Sequence, residues 1–134
     1  MNNSGKIIYC ADVIARYGDR IVIVERLGSV KGLALPGGKQ DPGETLTQTA
    51  KREFQEEIGL ELNIQEVLGT RAEDGRDPRG NYVSTIFLGT AYGKPRSEQG
   101  KTKVILFDPK LLSWNKHLFV FDHASILEEY AHLF

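Results

Sequence analysis

The sequence predicts an α/β (α+β) fold in which one mixed β-sheet lies between helices on its two faces. Three observations carry that expectation. Apolar, β-branched runs recur before residue 36 and again after residue 60. A helix with clear start and stop signals separates the two groups, and a second amphipathic segment closes the chain. Strands, helix, strands, helix is the order of a layered domain with a sheet at its centre.

Taken in order, Ile7 to Tyr17 is apolar and β-branched and reads as a strand. Gly18-Asp19 is a turn, and Ile21 to Val24 is a second strand ending at Glu25-Arg26, so the pair forms a hairpin. A loop with Gly28 and Gly32 leads to Leu33-Ala34-Leu35 and then to Pro36-Gly37-Gly38, where glycine lets backbone approach a ligand or simply turn. Asp41-Pro42-Gly43 is a turn. Thr45 with Gln48 fits a capping box, and Gly59 fits the position just past a helix end, so a helix is expected over Leu46 to Ile58. Glu61 to Arg71, Asn81 to Tyr92 and Lys103 to Phe107 read as strands, separated by polar loops at 73–80 and 93–100. Asp122 fits the N-cap of a last helix through Leu133, with Ile126, Leu127 and Tyr130 on one face. With no linker or repeat, residues 1–134 are expected to form a single domain.

Composition excludes several classes. A net charge of −1 leaves no footprint for general nucleic-acid binding, and no apolar run approaches a membrane span. The opening MNNSGK has neither a long apolar region nor a small-residue cleavage site, so no secretory signal is expected. The only cysteine is Cys10, which precludes a disulfide within the chain and suits a cytoplasmic home. In its apolar setting it is expected to be a small buried hydrophobe.

The helix at 46–58 carries the chemistry. On a wheel of roughly 100° per residue, Leu46, Ala50, Phe54 and Ile58 form the apolar stripe, and Gln48, Lys51, Arg52 and Gln55 form the wet back. Glu53, Glu56 and Glu57 share the arc on one flank of that stripe. Like charges three and four residues apart repel, so three acids on one arc favour a cation between them. Carboxylates with water and phosphate completing the shell are characteristic of Mg²⁺, and oxygen ligands suit Mn²⁺ as well.

Gly38, Glu44, Arg52, Glu53, Phe54, Glu56, Glu57, Gly59 and Leu60 match every specified position of the Nudix box, G-x5-E-x7-R-E-U-x-E-E-x-G-U, over residues 38–60. The chain thus resembles the Nudix hydrolases. The resemblance implies an α/β/α sandwich and a metal-dependent hydrolase of a nucleoside diphosphate linked to another moiety. By the same resemblance, Glu53, Glu56, Glu57 and the Gly38 carbonyl hold metal, Arg52 orients a box glutamate, and Glu44 supports the site without entering it. Many relatives dimerise, so a homodimer is a candidate state.

Arg76-Asp77-Pro78-Arg79-Gly80, followed by Val83-Ser84 and later by Phe121-Asp122-His123-Ala124, resembles the ADP-ribose pyrophosphatases of bacteria and archaea. That likeness implies hydrolysis of ADP-ribose to AMP and ribose 5-phosphate. Arg76 and Arg79 suit bidentate contact with phosphate, and Asp77, Ser84, Gly37 and Arg26 complete the expected substrate set. His123 is expected to begin a helix and not to act as a base. Glu98 is the only acid between Asp77 and Asp108, and relatives often bring a further acid from this loop to the metal. The general base is therefore Glu53 or Glu98. The competing activities are hydrolysis of oxidised nucleoside triphosphates or of dinucleoside polyphosphates, and a Nudix-like ligand sensor without catalysis.

Overall fold

The computed structural model describes residues 6–95 and 102–134. Strands β1 (Ile8–Tyr17), β2 (Arg20–Arg26), β3 (Gly32–Ala34) and β4 (Gly37–Lys39) precede helix α1 (Leu46–Ile58). Strands β5 (Glu61–Arg71), β6 (Tyr82–Tyr92) and β7 (Thr102–Phe107) follow, then α2 (Leu112–Asn115) between two 3₁₀ turns, and α3 (His123–Glu129). The described strands form one mixed sheet in which β1 runs parallel to β6 and all other pairs are antiparallel.

The β1–β2 hairpin is hydrogen-bonded only beside its turn, at Arg16↔Ile21 and Tyr17↔Arg20. Beyond that point the two strands part. β6 takes one edge of β1 along Ile8 to Arg16, and β7 takes the outer edge of β2, so the inner edges face the gap. β4 pairs with the inner edge of β1 at Cys10 to Asp12, and β3 with the inner edge of β2 at Val24 to Arg26. The chain from 32 to 39 is thus a wedge driven into a split hairpin. The sequence suggests no strand between the hairpin and the helix, reading Gly32 and Pro36-Gly37-Gly38 as loop, whereas Gly32–Ala34 and Gly37–Lys39 are strand.

Alternation along the central strands builds two cores, because successive side chains point to opposite faces. Ala11, Val13, Ala15, Val22, Val24 and Phe87 pack with Ala50, Phe54 and Ile58 of α1. Ile14, Ile21, Ile23, Ile86 and Leu88 pack with Leu112, Ile126 and Leu127 on the other face. The helix wheel of α1 is thereby confirmed, and the α/β/α layering with it.

The last helix departs from expectation. α3 stops at Glu129 and a 3₁₀ turn over Ala131–Leu133 follows. The Asp122 side chain makes no cap. It is taken instead by Arg76, at 2.7 and 2.9 Å, because two charge-assisted bonds in a half-buried setting outcompete a bond to a backbone amide. The segment Pro109–Leu118, for which the sequence suggests no helix, holds α2 and its flanking turns.

Candidate active site

α1 begins and ends as its sequence dictates. The Gln48 backbone amide donates to Thr45 Oγ1 at 3.1 Å, and the Thr45 backbone amide donates to Gln48 Oε1 at 2.8 Å. Gly59 adopts the left-handed region at φ 77°, where its N–H bonds to the Gln55 carbonyl. Just before the helix, Glu44 accepts from the Arg52 guanidinium at 2.6 and 3.0 Å, from the Asp41 amide at 2.9 Å and from the Thr49 hydroxyl at 2.7 Å. Those bonds, Arg52 first, hold its carboxyl down to about 2. Arg52 also donates to the Lys39 carbonyl at 2.9 Å and to Glu56 at 3.1 Å, and lies 3.3 Å from Glu53. Arg52 therefore clamps the helix to β4 while touching two box glutamates.

Glu53 and Glu57 line a cavity of about 370 Å³ together with Gly37 and Gly38. Glu57 is buried and accepts from the Gly37 amide at 2.9 Å. Gly37 is required for close approach to backbone, whereas Gly38 faces only the flexible end of Glu53. A Cβ on Gly37 would collide with the Ala11 carbonyl oxygen, and one on Gly38 would collide with the Glu53 carboxylate. Glu56 differs: its side chain is 54% exposed and rests on Arg52. Among the described residues no trio of acids closes around one point. The donor set still fits a hard divalent cation. Its oxygens come from two carboxylates against bare backbone, and Mg²⁺ is commonly held by one or two carboxylates with substrate phosphates completing the shell. Glu98 lies outside the described residues.

The opposite wall comes from the 76–80 loop, the ends of β1, β2 and β6, and the start of α3. The Arg76 side chain is 5% exposed and spends its donors on Asp122, the Ser84 hydroxyl at 3.1 Å and the Tyr82 carbonyl at 3.2 Å. Asp77 grips Arg79 through the amide at 2.9 Å, Nε at 3.0 Å and Nη2 at 2.8 Å. Burial works to raise the Asp77 pKa, and the Arg79 hydrogen bonds outweigh it, so the group stays below its ordinary value. The Arg79 guanidinium sits between two aromatic rings, 4.6 Å from Tyr82 and 4.8 Å from Phe121. Arg26 lies 5.3 Å from the same Phe121 ring and donates to the Val30 carbonyl at 2.8 Å. Phe121 adopts φ 58°, a left-handed conformation that bulky residues avoid, and thereby turns its ring to both arginines. Burial, then the Arg79 charge, lowers the Arg26 pKa.

His123 is the first residue of α3 and is buried. Its Nδ1 accepts from the Leu35 amide at 2.8 Å, and burial drives its pKa down, so it is neutral and points Nε2–H inward. That agrees with the structural role expected for it. Sequence reasoning misses several residues of the cavity wall, Tyr82 and Asp12 among them. Tyr82 reads only as strand. Asp12 is lost within an apolar strand, although a lone acid inside such a run is a signal.

Cys10 is buried beside Asp12, and burial followed by that negative charge pushes its thiol up to about 12. The native protein should therefore react with a thiol-directed disulfide reagent at pH 8 about a thousandfold more slowly than after denaturation. Absorbance of the released thiolate reads this directly. Equal rates before and after denaturant would contradict the burial.

The NUDIX domain family model matches residues 8–130. An ADP-ribose pyrophosphatase of Methanocaldococcus jannaschii is 32% identical over 126 residues, covering 89% of this chain and 70% of the relative. Among solved structures, a bifunctional NMN adenylyltransferase/ADP ribose pyrophosphatase of Francisella tularensis, complexed with AMP and a Mn ion, superimposes with a TM-score of 0.81 at 20% identity. It covers 95% of this chain, which spans only 42% of that longer protein. The NUDIX domain of Shewanella oneidensis NrtR, complexed with ADP ribose, gives a TM-score of 0.78 at 21% identity, covering 95% of this chain and 88% of that one. The complete box, the fold and these likenesses agree: the chain belongs to the Nudix family and is a Nudix hydrolase.

Proposed function

We propose that the protein hydrolyses ADP-ribose to AMP and ribose 5-phosphate with the help of Mg²⁺, for which Mn²⁺ can substitute. One observation carries the reading: a single cavity sets Arg26 and Arg79 against one wall and Glu53 and Glu57 against the other. The arginines suit the anionic diphosphate. A bound phosphate would also relieve the repulsion that Arg79 exerts on Arg26. The volume is that of a small-molecule site. The Methanocaldococcus relative bears this activity in its name, and the Shewanella domain was solved with ADP ribose.

In the reaction, water adds to one phosphorus and the bridging P–O bond breaks, with the water proton passing to a base. Glu53, Glu57 and the Gly38 backbone would hold the cation, and Glu56, on Arg52, would approach it only as the site loads. When bound, the cation would neutralise charge on the phosphate oxygens and lower the pKa of water. Glu53 or Glu98 would take the proton. Arg79, fixed by Asp77 and by two rings, would grip the diphosphate, while Arg76 and Ser84 would shape the wall. A single buried thiol suits the reducing cytoplasm.

A substrate panel with identified products tests this. ADP-ribose should give the highest kcat/KM against NADH, diadenosine polyphosphates and nucleoside triphosphates. Arg79→Ala should raise KM more than it lowers kcat if the arginine holds ground state and transition state alike. A tenfold advantage for nucleoside triphosphates would replace ADP-ribose as the substrate.

A further inference from the structure

Asp12 has no task in the reaction as described. It stands on β1 and lines the cavity with its side chain only 10% exposed. No donor among the described residues hydrogen-bonds its carboxylate. His123 Nε2 is 3.8 Å away, beyond hydrogen-bond reach. Arg76 and Arg26 feel its charge, but Arg76 is held by Asp122, Ser84 and the Tyr82 carbonyl, and Arg26 Nε is held by Val30. A carboxylate this deep without hydrogen bonds is costly. Its oxygens open on the cavity, so water donates to them in the free protein and a ligand that fills the cavity must replace those donors.

The chemistry narrows the donor. A phosphate would be repelled. With Cys10 and His123 nearby, no metal-ligating trio forms among the described residues. An adenine edge places a donor beside an acceptor, which an amide matches and a carboxylate does not. A vicinal diol offers two O–H donors to two acceptor oxygens, and an acid reading ribose hydroxyls is how dinucleotide-binding folds choose their ligand.

We propose that Asp12 is a specificity-determining residue whose carboxylate accepts hydrogen bonds from a sugar diol of the bound nucleotide. The proposal rests on the ADP-ribose reading for the identity of that sugar, of which the substrate holds two. Calorimetric titration of the wild-type protein with AMP against 2′-deoxy-AMP, and with ribose 5-phosphate against 2-deoxyribose 5-phosphate, locates the diol. One pair should differ by about tenfold or more in favour of the hydroxylated member, the worth of a hydrogen bond to a charged group. Asp12→Asn, with Asp12→Ser as a second variant, should abolish that difference by weakening only the hydroxylated ligand. With ADP-ribose, KM should rise by a similar factor and kcat change less. Discrimination in neither pair, or equal weakening of both members by Asp12→Asn, would overturn the proposal. Should the wild-type enzyme leave ADP-ribose intact, the substrate reading fails, while the product titrations still decide the role of Asp12.

Discussion

Glutamine in place of Glu53 or of Glu57 should lower kcat about a hundredfold or more, because charge stabilisation by catalytic metal is worth several kcal/mol. The fold should survive both changes. The amide of glutamine has nearly the volume of the carboxylate, and in Glu57→Gln the side-chain carbonyl oxygen could still accept from the Gly37 amide. Melting curves separate lost chemistry from lost structure, and Mg²⁺ titration of each variant should show a raised half-saturating concentration. Near wild-type rates at saturating Mg²⁺ for both variants would dismantle the metal site. The same series addresses the base. Glu98→Gln should reduce kcat by about tenfold to ten-thousandfold with little change in KM if it takes the proton. A rate within twofold of wild type from pH 7 to 9 would return that role to Glu53.

Arg76→Leu should unfold the protein more readily by about 1–3 kcal/mol, the cost of losing hydrogen bonds between charged, partly buried groups. Asp122 is not left alone, because Arg71 Nη1 lies 3.7 Å from it. The Arg76 side chain is 5% exposed and that of Asp122 17%, and the leucine would also leave the Ser84 hydroxyl and the Tyr82 carbonyl without this donor. Urea unfolding followed by far-UV circular dichroism measures the change. Pairing the substitution with Asp122→Asn should recover part of the loss, since the buried charge is then gone as well. A single-variant loss below about 1 kcal/mol, the range of an exposed pair, would show that this clamp is solvated.

The sequence is most informative where structure is locally encoded. α1 declares itself through Thr45, Gln48 and Gly59, each acting within four residues of its partner. The box glutamates are legible for the same reason. Arrangements made across the fold are not. Asp122 reads as a cap until Arg76, 46 residues away, takes its carboxylate. Gly37 and Gly38 read as a loop because pairing with β1 depends on the hairpin having split. Glu56 shares an arc with Glu53 and Glu57 on the wheel, yet Arg52 draws it aside. The aromatic faces around Arg79 come from residues 82 and 121, a proximity no local pattern reveals.

The wedge in the split hairpin bears on the dynamics of the site. Its backbone is bonded to several other parts of the fold. Leu35 donates to His123, Gly37 to Glu57 and Gln40 to the Tyr9 carbonyl, while the carbonyls of Leu33 and Pro36 accept from Val120 and Val13. These bonds tie the wedge to β1, to α1 and to the residues around the start of α3. The amides of Leu35, Gly37 and Gln40 should then exchange with solvent deuterium more slowly than those of most ligand-binding loops. A backbone so tethered needs little reorganisation when charge develops on the substrate, the condition under which fixed dipoles contribute most to catalysis.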